Sequence, residues 1–371
     1  MNLFVLNCIP IIFVALFFIG NKESEEEFLS ITSSKALKGF AAIGVILHHL
    51  TQINTNYNQI WTGPINLWNE MGILFTGVFF FLSGYGLWTS FHTKPNYLQG
   101  FLKKRLSTVL IPFYVSNWIY VLIMGIGFGI LTRPSEVLTS ILGLTLVNTN
   151  MWYLVEIVLF YLAFYFLCKN TTEKQAEMGL IIVVGLVVGI GLFSGWDTTV
   201  YGWWFRGEWW YNTSFVFLYG MYFAKHKKET IRKMKNNYKK NLDINIVSWM
   251  ILMTMDVLLL TNIGYHYQPS AFIGALCRLI LCIVQTMNAI AFVRMLMLLS
   301  IQWKFENPFY LFIGEISLEL YAIHNIVRLG CAYMLGMSNT LLYIVVLTVS
   351  ILLSYPLYKL DRLFIRKVIQ K

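Results

Sequence analysis

Two ionisable side chains, Lys38 and His49, lie on one apolar stretch of the chain, which runs from Ser34 to Leu50. Their positions differ by eleven. In an α-helix that is close to three whole turns, so both fall on one stripe, about 16 Å apart along the axis. An ionisable side chain inside a hydrophobic span is costly and indicates function. Imidazole is the usual general base, so the pattern predicts that His49 accepts a proton and that Lys38 acts with it. A buried histidine satisfied only by hydrogen bonds is the alternative interpretation.

A run of three consecutive cations, Lys103, Lys104 and Arg105, leads into another apolar span. Such a run is typical of the cytoplasmic end of a membrane helix, where it fixes the orientation of the helix. It also offers a phosphate-binding site, in which the planar Arg105 guanidinium would bind two oxygens at once. The sequence alone leaves both interpretations open.

Polar and aromatic side chains interrupt two other apolar segments. The segment TGVFFFLSGYGLW carries Ser83 and Tyr85, and the segment MWYLVE carries Trp152 and Tyr153 with Glu156 one turn further on. Small residues allow membrane helices to pack closely, but they can also open the backbone beside a ligand path. We therefore regard these five residues as candidates for a substrate path.

The segment GEISLELYAIH places Ser317, Tyr321 and His324 on one helix face, since they lie at positions i, i+4 and i+7. Glu315 points about 180° away from His324, so these two are not a local pair. The four residues are further candidates for the substrate path. A polar seam between two packed helices is the alternative interpretation of the trio.

The elements that must position these residues are membrane helices. Of the 371 residues, 57% are hydrophobic and 12% are charged, with a mean hydropathy of +0.62, whereas a soluble domain carries about 25% charged residues. Apolar runs of about 20 residues, enough to cross a bilayer, recur along the whole chain. We therefore predict an all-α, polytopic membrane protein. Its eleven predicted spans cover residues 3–20, 37–53, 71–91, 108–131, 151–168, 178–195, 208–224, 244–262, 271–299, 309–333 and 341–358.

The basic residues indicate how these helices are oriented. With the C-terminus in the cytoplasm and the spans alternating, the cytoplasmic segments hold 22 Lys and Arg, and the outer loops hold two. This is the positive-inside pattern of a protein of the cell membrane, and it puts the N-terminus outside. It accounts for the net charge of +10 without a nucleic-acid partner. The most basic loop, residues 226–240, is expected to contact anionic membrane lipid.

Residues 1–30 form a segment of their own, with an apolar run over 3–20 followed by the acidic sequence NKESEEE. A signal peptide is the alternative, but the run lacks a positively charged start and a small-residue cleavage site. We expect an extra N-terminal transmembrane helix, followed by a membrane domain over residues 31–371.

The five cysteines are scattered through apolar segments, without the spacing of metal ligands or of a redox pair. We therefore predict no metal site and expect buried thiols that fill space between helices.

The loop over residues 196–211 is rich in Trp and Tyr and also contains Arg206 and Glu208. Aromatic residues at a membrane boundary are usually interfacial anchors. Tryptophan faces also stack on sugar rings, so a carbohydrate-binding platform is the alternative.

The order of these motifs is more specific than any one of them. A cation and a histidine with ten residues between them are followed by an FFxLSGY motif, a basic run that ends in proline, a WYL helix start and an ISxxxYxxH motif. In this order the chain resembles the acyltransferase 3 family, the integral membrane O-acyltransferases of bacterial cell-envelope polysaccharides and related glycans. The motifs extend over most of the chain and are found at Lys38–His49, Phe79–Tyr85, Lys103–Pro112, Trp152–Leu154 and Ile316–His324.

The resemblance implies a core of ten helices, to which the span over 3–20 would be an addition. It implies an acyl-CoA donor, often acetyl-CoA, on the cytoplasmic side. Our own hypothesis is that the cations at 103–105 bind the phosphates of this donor. The implied acceptor is a hydroxyl group of an exported or lipid-linked carbohydrate. His49 would be the essential histidine and Lys38 its basic partner. Relatives more often have Arg at the position of Lys38, and Lys gives up the two-oxygen contact of a guanidinium.

These observations suggest a mechanism. His49 would remove the proton of the hydroxyl group as its oxygen attacks the thioester carbonyl, and an acyl-histidine intermediate is the variant. Lys38 would steer the donor or stabilise developing negative charge. One carboxylate among Glu156, Glu315 and Glu319 would orient the imidazole.

Two other classes of protein fit parts of the sequence. A transporter or flippase for a glycolipid or polysaccharide precursor would also carry intramembrane charges, although no internal repeat of the kind many transporters show is visible here. A sensor or scaffold that kept the fold without catalysis is the other class, and the intact Lys38 and His49 pair argues against it. The oligomeric state stays open, with a homo-oligomer among the possibilities.

Overall fold

The protein is built from helices, as the sequence predicts. A computed structural model describes residues 3–19, 29–194, 212–264, 270–334 and 339–370, and this part of the chain contains no β-strand. The aromatic loop predicted at residues 196–211 lies outside the described residues. The helices are α1 (Leu3–Phe17), α2 (Ile31–Asn54), α3 (Gly72–Thr93), α4 (Phe101–Tyr120), α5 (Pro134–Ile141), α6 (Trp152–Asn170), α7 (Glu173–Ser194), α8 (Phe215–Lys225), α9 (Lys227–Lys235), α10 (Tyr238–Asn262), α11 (Ala271–Leu299), α12 (Pro308–Glu315), α13 (Ser317–Leu329) and α14 (Asn339–Gln370).

Eight helical segments of the described chain are long and apolar enough to cross a membrane, and each overlaps one predicted span. They are Ile31–Asn54, Gly72–Thr93, Phe101–Gly127, Thr149–Asn170, Glu173–Phe193, Tyr238–Asn262, Ala271–Leu299 and Thr340–Gln370. Three predicted spans differ. The span over 3–20 corresponds to the 15-residue α1, and the span over 208–224 is described only as the 11-residue α8. The span over 309–333 is divided into α12 and α13. The protein is therefore an all-α membrane protein, and the full count of eleven spans stays a prediction.

The chain divides into two compact units. The first consists of Met1–Phe79, Ile231–Trp249 and Ala291–Tyr358, and the second consists of Phe80–Thr230, Met250–Ile290 and Lys359–Lys371.

Helix α2 is the central element of the first unit. It begins after Ser30, whose side-chain oxygen accepts a hydrogen bond from the backbone N–H of Ser33 at 3.0 Å and so caps the helix. It ends at a turn in which Asn56 and Asn58 adopt left-handed backbone conformations, which asparagine tolerates better than most residues. Because α2 is regular over its whole length, Lys38 and His49 lie on one helix, as predicted.

Two glycines let α2 and α12 approach each other closely. A Cβ atom at Gly39 would collide with the Tyr310 carbonyl oxygen, and one at Gly314 would collide with the Lys35 carbonyl oxygen. Small residues at such crossings allow backbone-to-backbone contact between membrane helices. The N-terminal helix joins the same packing, since Phe17 stacks between Phe40 and Phe305, with ring centroids 4.1 Å from each.

The segment predicted as one span over 309–333 is broken at Ile316, where α12 ends and α13 begins. Helix α12 starts with Pro308 after Asn307, whose side chain accepts from the backbone N–H of Tyr310 at 3.0 Å. The break separates Glu315 from the helix that carries Ser317, Tyr321 and His324. Those three residues share one helix, α13, as predicted.

The second unit repeats the device of close glycine packing. A Cβ atom at Gly84 on α3 would collide with the Phe217 carbonyl oxygen, and one at Gly220 on α8 would collide with the Phe81 carbonyl oxygen. The glycine of the LSGY motif therefore has a packing role between α3 and α8.

Candidate functional site

Two histidines from different helices meet in the first unit. The Nδ1 atom of His49 on α2 lies 2.8 Å from the Nε2 atom of His324 on α13. Their rings are nearly coplanar, with an interplanar angle of 5° and centroids 5.0 Å apart. That separation is what two imidazoles reach when they meet nitrogen to nitrogen in one plane. The contact is therefore a directed N–H···N hydrogen bond.

The two rings differ in exposure. His324 is completely buried, and its Nδ1 atom faces the carbonyl oxygens of Leu320 at 3.2 Å and Tyr321 at 2.8 Å. His49 is half-buried. The pair thus combines one completely buried imidazole with one that keeps some accessible surface.

The neighbouring histidine is held in another way. The Nδ1 atom of His48 lies 3.0 Å from the Trp68 carbonyl oxygen, and its ring centroid lies 5.0 Å from that of His49. The Nε2 side of His48 packs against Gly72, where an added Cβ would come within 2.5 Å of that nitrogen. His48 therefore supports the turn after α2 and the start of α3.

A cation lies beside the histidine pair. An Nη1 hydrogen of Arg328 is donated to the backbone carbonyl oxygen of His49 at 3.2 Å, and the Arg328 Nε–H is donated to Asn325 Oδ1 at 2.7 Å. Arg328 lies one turn after His324 on α13, so both side chains reach the same part of α2. The motif-based prediction did not include Arg328 in the site, although its spacing of four from His324 was visible.

Lys38 lies in different surroundings from His49. It is exposed, and eleven positions of regular helix separate the two residues, so the two lie about 16 Å apart along α2. Its neighbour Lys35 forms an ion pair with Glu315 at 2.9 Å, and Glu315 also accepts a hydrogen bond from the Tyr358 hydroxyl at 2.7 Å. The structure therefore does not bring Lys38 and His49 to one point. Glu315 contacts the N-terminal part of α2, through Lys35.

The side chain that orients His49 is an imidazole, where the sequence suggested a carboxylate. In the described part of the chain, the ring of His49 hydrogen-bonds to His324 and to no Asp or Glu. Glu156 lies in the second unit, completely buried, and accepts a hydrogen bond from the Ser214 hydroxyl. Glu319 is buried on α13. Ser317 donates its hydroxyl hydrogen to the Gly314 carbonyl oxygen at 3.1 Å, at the break between α12 and α13.

The substrate-path candidates on α3 and α6 meet within the second unit. The hydroxyl groups of Ser83 and Tyr153 lie 3.1 Å apart, and the Tyr153 and Trp152 side chains are both buried. Tyr85 is also buried, and the ammonium group of Lys227 lies 5.6 Å from the centroid of its ring. Ser83 and Tyr153 therefore join α3 to α6, while Tyr85 lies near α9.

The three cations at the start of α4 differ in exposure and in their contacts. Lys103 and Lys104 are exposed, while Arg105 is half-buried and donates from Nη2 and Nε to the Tyr97 hydroxyl at 2.6 and 3.2 Å. Its guanidinium also lies 5.9 Å from the ring centroid of Tyr161. Two of the three predicted phosphate ligands are therefore accessible, and the third is engaged by tyrosines.

No group of three or more His, Cys, Asp or Glu within the described ranges is arranged to hold a metal ion.

Comparison with known proteins identifies the family of the chain. A family model described as an acyltransferase domain, that of acyltransferase 3, matches residues 31–359. No curated protein and no solved structure matches the chain. The family match includes α2, α13 and every motif named above, and it covers nearly the whole sequence, so this protein belongs to the acyltransferase 3 family and is a membrane acyltransferase.

Proposed function

We propose that the protein transfers an acyl group, most simply acetyl, from acyl-CoA to a hydroxyl group of a cell-surface or exported carbohydrate. The observation that carries this proposal is the half-buried His49, held by a second imidazole and adjoined by the cation Arg328. An O-acyl transfer needs a base for the hydroxyl proton and a positive charge for the developing oxyanion. The donor and acceptor classes come from the family resemblance.

In the proposed reaction, the acceptor hydroxyl gives its proton to the free ring nitrogen of His49, and its oxygen forms a bond to the thioester carbonyl carbon. The tetrahedral intermediate carries the negative charge on the former carbonyl oxygen. Its collapse breaks the carbon–sulfur bond, and the leaving thiolate takes the proton back from the His49 imidazolium. The products are the ester and the CoA thiol, and His49 returns to its neutral form.

The two cations, Lys38 and Arg328, lie at different distances from His49, so we assign them different roles. Lys38 lies three turns from His49, too far for both to contact one tetrahedral intermediate, so we assign Lys38 to steering the long donor. Arg328 adjoins His49 through the His49 carbonyl oxygen, and we assign to it the stabilisation of the oxyanion.

The start of α4 is the proposed contact for the CoA phosphates. Lys103 and Lys104 are exposed next to Gly100, which adopts a left-handed conformation and caps the helix without a side chain. A helix start that also carries two ammonium groups favours phosphate. Arg105, whose guanidinium donates hydrogen bonds to the Tyr97 hydroxyl, would hold the start of α4 in place.

The proposal puts the C-terminus in the cytoplasm, so that the donor approaches from the side rich in Lys and Arg. The acceptor would approach from the opposite side, where the N-terminus would lie. A charged CoA does not cross lipid, so a reaction within the membrane joins the two substrates.

Mass spectrometry of surface glycans tests the function. Cells that lack the protein should lose an acyl mass from a glycan hydroxyl, and restoring the wild-type chain should bring it back. The acyl mass lost would identify the donor as acetyl, succinyl or another group. A transporter or flippase predicts another result, namely that the glycan itself disappears from the surface while its acylation is unchanged.

A further inference from the structure

We propose that His324 is a positioning residue that keeps the proton of neutral His49 on Nδ1 and thereby leaves the Nε2 lone pair of His49 to accept the substrate proton. This inference rests on the proposed role of His49 as the base. It adds that Nε2 is the nitrogen of His49 that accepts the proton, and that His324 determines this choice.

The first step is the protonation of His324. Its Nδ1 atom lies within hydrogen-bond distance of two carbonyl oxygens, those of Leu320 and Tyr321. Carbonyl oxygens only accept hydrogen bonds, so Nδ1 must carry a hydrogen. The opposite tautomer would point a lone pair at two oxygen atoms inside a completely buried site, which costs free energy.

The second step concerns the other nitrogen of His324. A neutral imidazole with a hydrogen on Nδ1 has a lone pair on Nε2. A doubly protonated ring would put a second positive charge one turn from Arg328, in a side chain with no exposed surface, where an unpaired charge is expensive. The Nε2 atom of His324 is therefore an acceptor.

Because Nε2 of His324 is an acceptor, the hydrogen of the bond between the two rings must come from His49. Its Nδ1 atom faces the Nε2 atom of His324 at 2.8 Å, in one plane, so His49 must donate its hydrogen there. The lone pair of His49 is then on Nε2, the nitrogen on the far side of the ring. When Nε2 takes the substrate proton, the imidazolium keeps its Nδ1–H bond to His324, and no atom has to move.

The adjacent histidine, His48, differs from His49 in the surroundings of its Nε2 atom. The His48 ring also donates from Nδ1, to the Trp68 carbonyl oxygen, so it has the same tautomer. Its Nε2 atom, however, packs against Gly72, whereas no hydrogen bond to His49 Nε2 is found among the described residues. Two adjacent histidines thus hold their protons alike, but the Nε2 atom of His48 faces the backbone of Gly72.

The test is nitrogen NMR of the full-length protein in lipid nanodiscs, with ¹⁵N-labelled histidine. The chain has six histidines, and the His49→Asn variant assigns the signals of His49. We expect His49 with a protonated Nδ1 and an unprotonated Nε2 in the wild type. In His324→Phe the hydrogen should leave Nδ1 for Nε2, while in His324→Gln, whose amide oxygen can still accept, it should stay. His48 should keep its tautomer in every variant, as the internal control.

Kinetics of acyl transfer provide the second readout. His324→Phe should lower kcat on the order of 100-fold with little change in the KM of acyl-CoA, since the base would present a hydrogen where a lone pair is needed. His324→Gln should recover most of that loss. A purely structural role predicts instead that both variants lose activity together with thermal stability.

Two results would overturn the proposal. One is a wild-type His49 whose hydrogen is on Nε2, and the other is a His324→Phe protein with wild-type kcat. If the wild-type protein transfers no acyl group at all, the proposed function fails, and the NMR measurement still decides which nitrogen of His49 carries the hydrogen.

Discussion

The two ends of α2 carry one sequence motif but have different physical surroundings. At one end Lys38 is exposed, and its neighbour Lys35 is paired with Glu315 at 2.9 Å. At the other end His49 is half-buried, bonded to His324 and adjoined by Arg328. The helix between them is regular and packs closely against α12 through Gly39.

This difference shows that the spacing of ten residues between the cation and the histidine does not build one catalytic dyad. It fixes two positions about three turns apart on one rigid element. The cation that shares the site of the histidine comes from α13. Under the proposed function, the motif sets the distance between the end of the helix that steers the donor and the end that takes the proton.

The largest effect should come from His49. Its replacement by asparagine removes the base and should lower kcat for acyl transfer by about 10²–10⁴-fold. The matched control is His48→Asn, because the asparagine amide can still donate to the Trp68 carbonyl oxygen as His48 does. Transfer rates of the two purified variants check this. Equal losses for both would mean that the histidine-rich end of α2 acts through structure alone.

The next effect should come from Arg328. Arg328→Gln removes the charge beside His49 and should lower kcat by about 10–100-fold, while Arg328→Lys should keep more of the rate. Arg294→Gln on α11 is the control, because Arg294 is an exposed arginine of the same unit. The measurement is kcat together with thermal unfolding. Glutamine and lysine variants with the same kcat would exclude a role for the charge.

The smallest effect should come from Lys38. If it only steers the donor, Lys38→Ala should raise the KM of acyl-CoA by less than about tenfold and leave kcat unchanged, and Lys38→Arg should restore the KM. Lys35→Ala is the control for removing a neighbouring cation, and we expect it to act on stability by at most about 1 kcal/mol. A fall in kcat as large as that of His49→Asn would contradict the division between the two ends.

Much of the architecture could be predicted from the sequence. The long apolar runs predict membrane helices directly, and the eight longest helical segments agree with them. The stripe of Lys38 and His49 follows from helix periodicity, and so does the common face of Ser317, Tyr321 and His324. These predictions depend on the geometry of a single helix, which is the same in every protein.

The rest depends on contacts between helices that are far apart in the sequence. His49 and His324 are 275 positions apart, and no local pattern indicates that two imidazoles will meet. The break at Ile316 lies between Glu315 and Ser317 and contains no proline, so hydropathy averaged over a whole span does not mark it. We expected a carboxylate beside His49 because carboxylates commonly orient histidine rings. In this protein the His324 imidazole contacts the His49 ring, and Arg328 contacts the His49 carbonyl oxygen.

Transfer of label by the reconstituted protein tests the central claim most directly. Purified wild-type chain in lipid nanodiscs, given labelled acetyl-CoA and an extracted surface glycan, should put the label on the glycan as an ester that mild base removes. The His49→Asn protein should not do so above background. Ester formation at the wild-type rate by His49→Asn would contradict the account, because the acyl group would then reach the alcohol without the imidazole of α2.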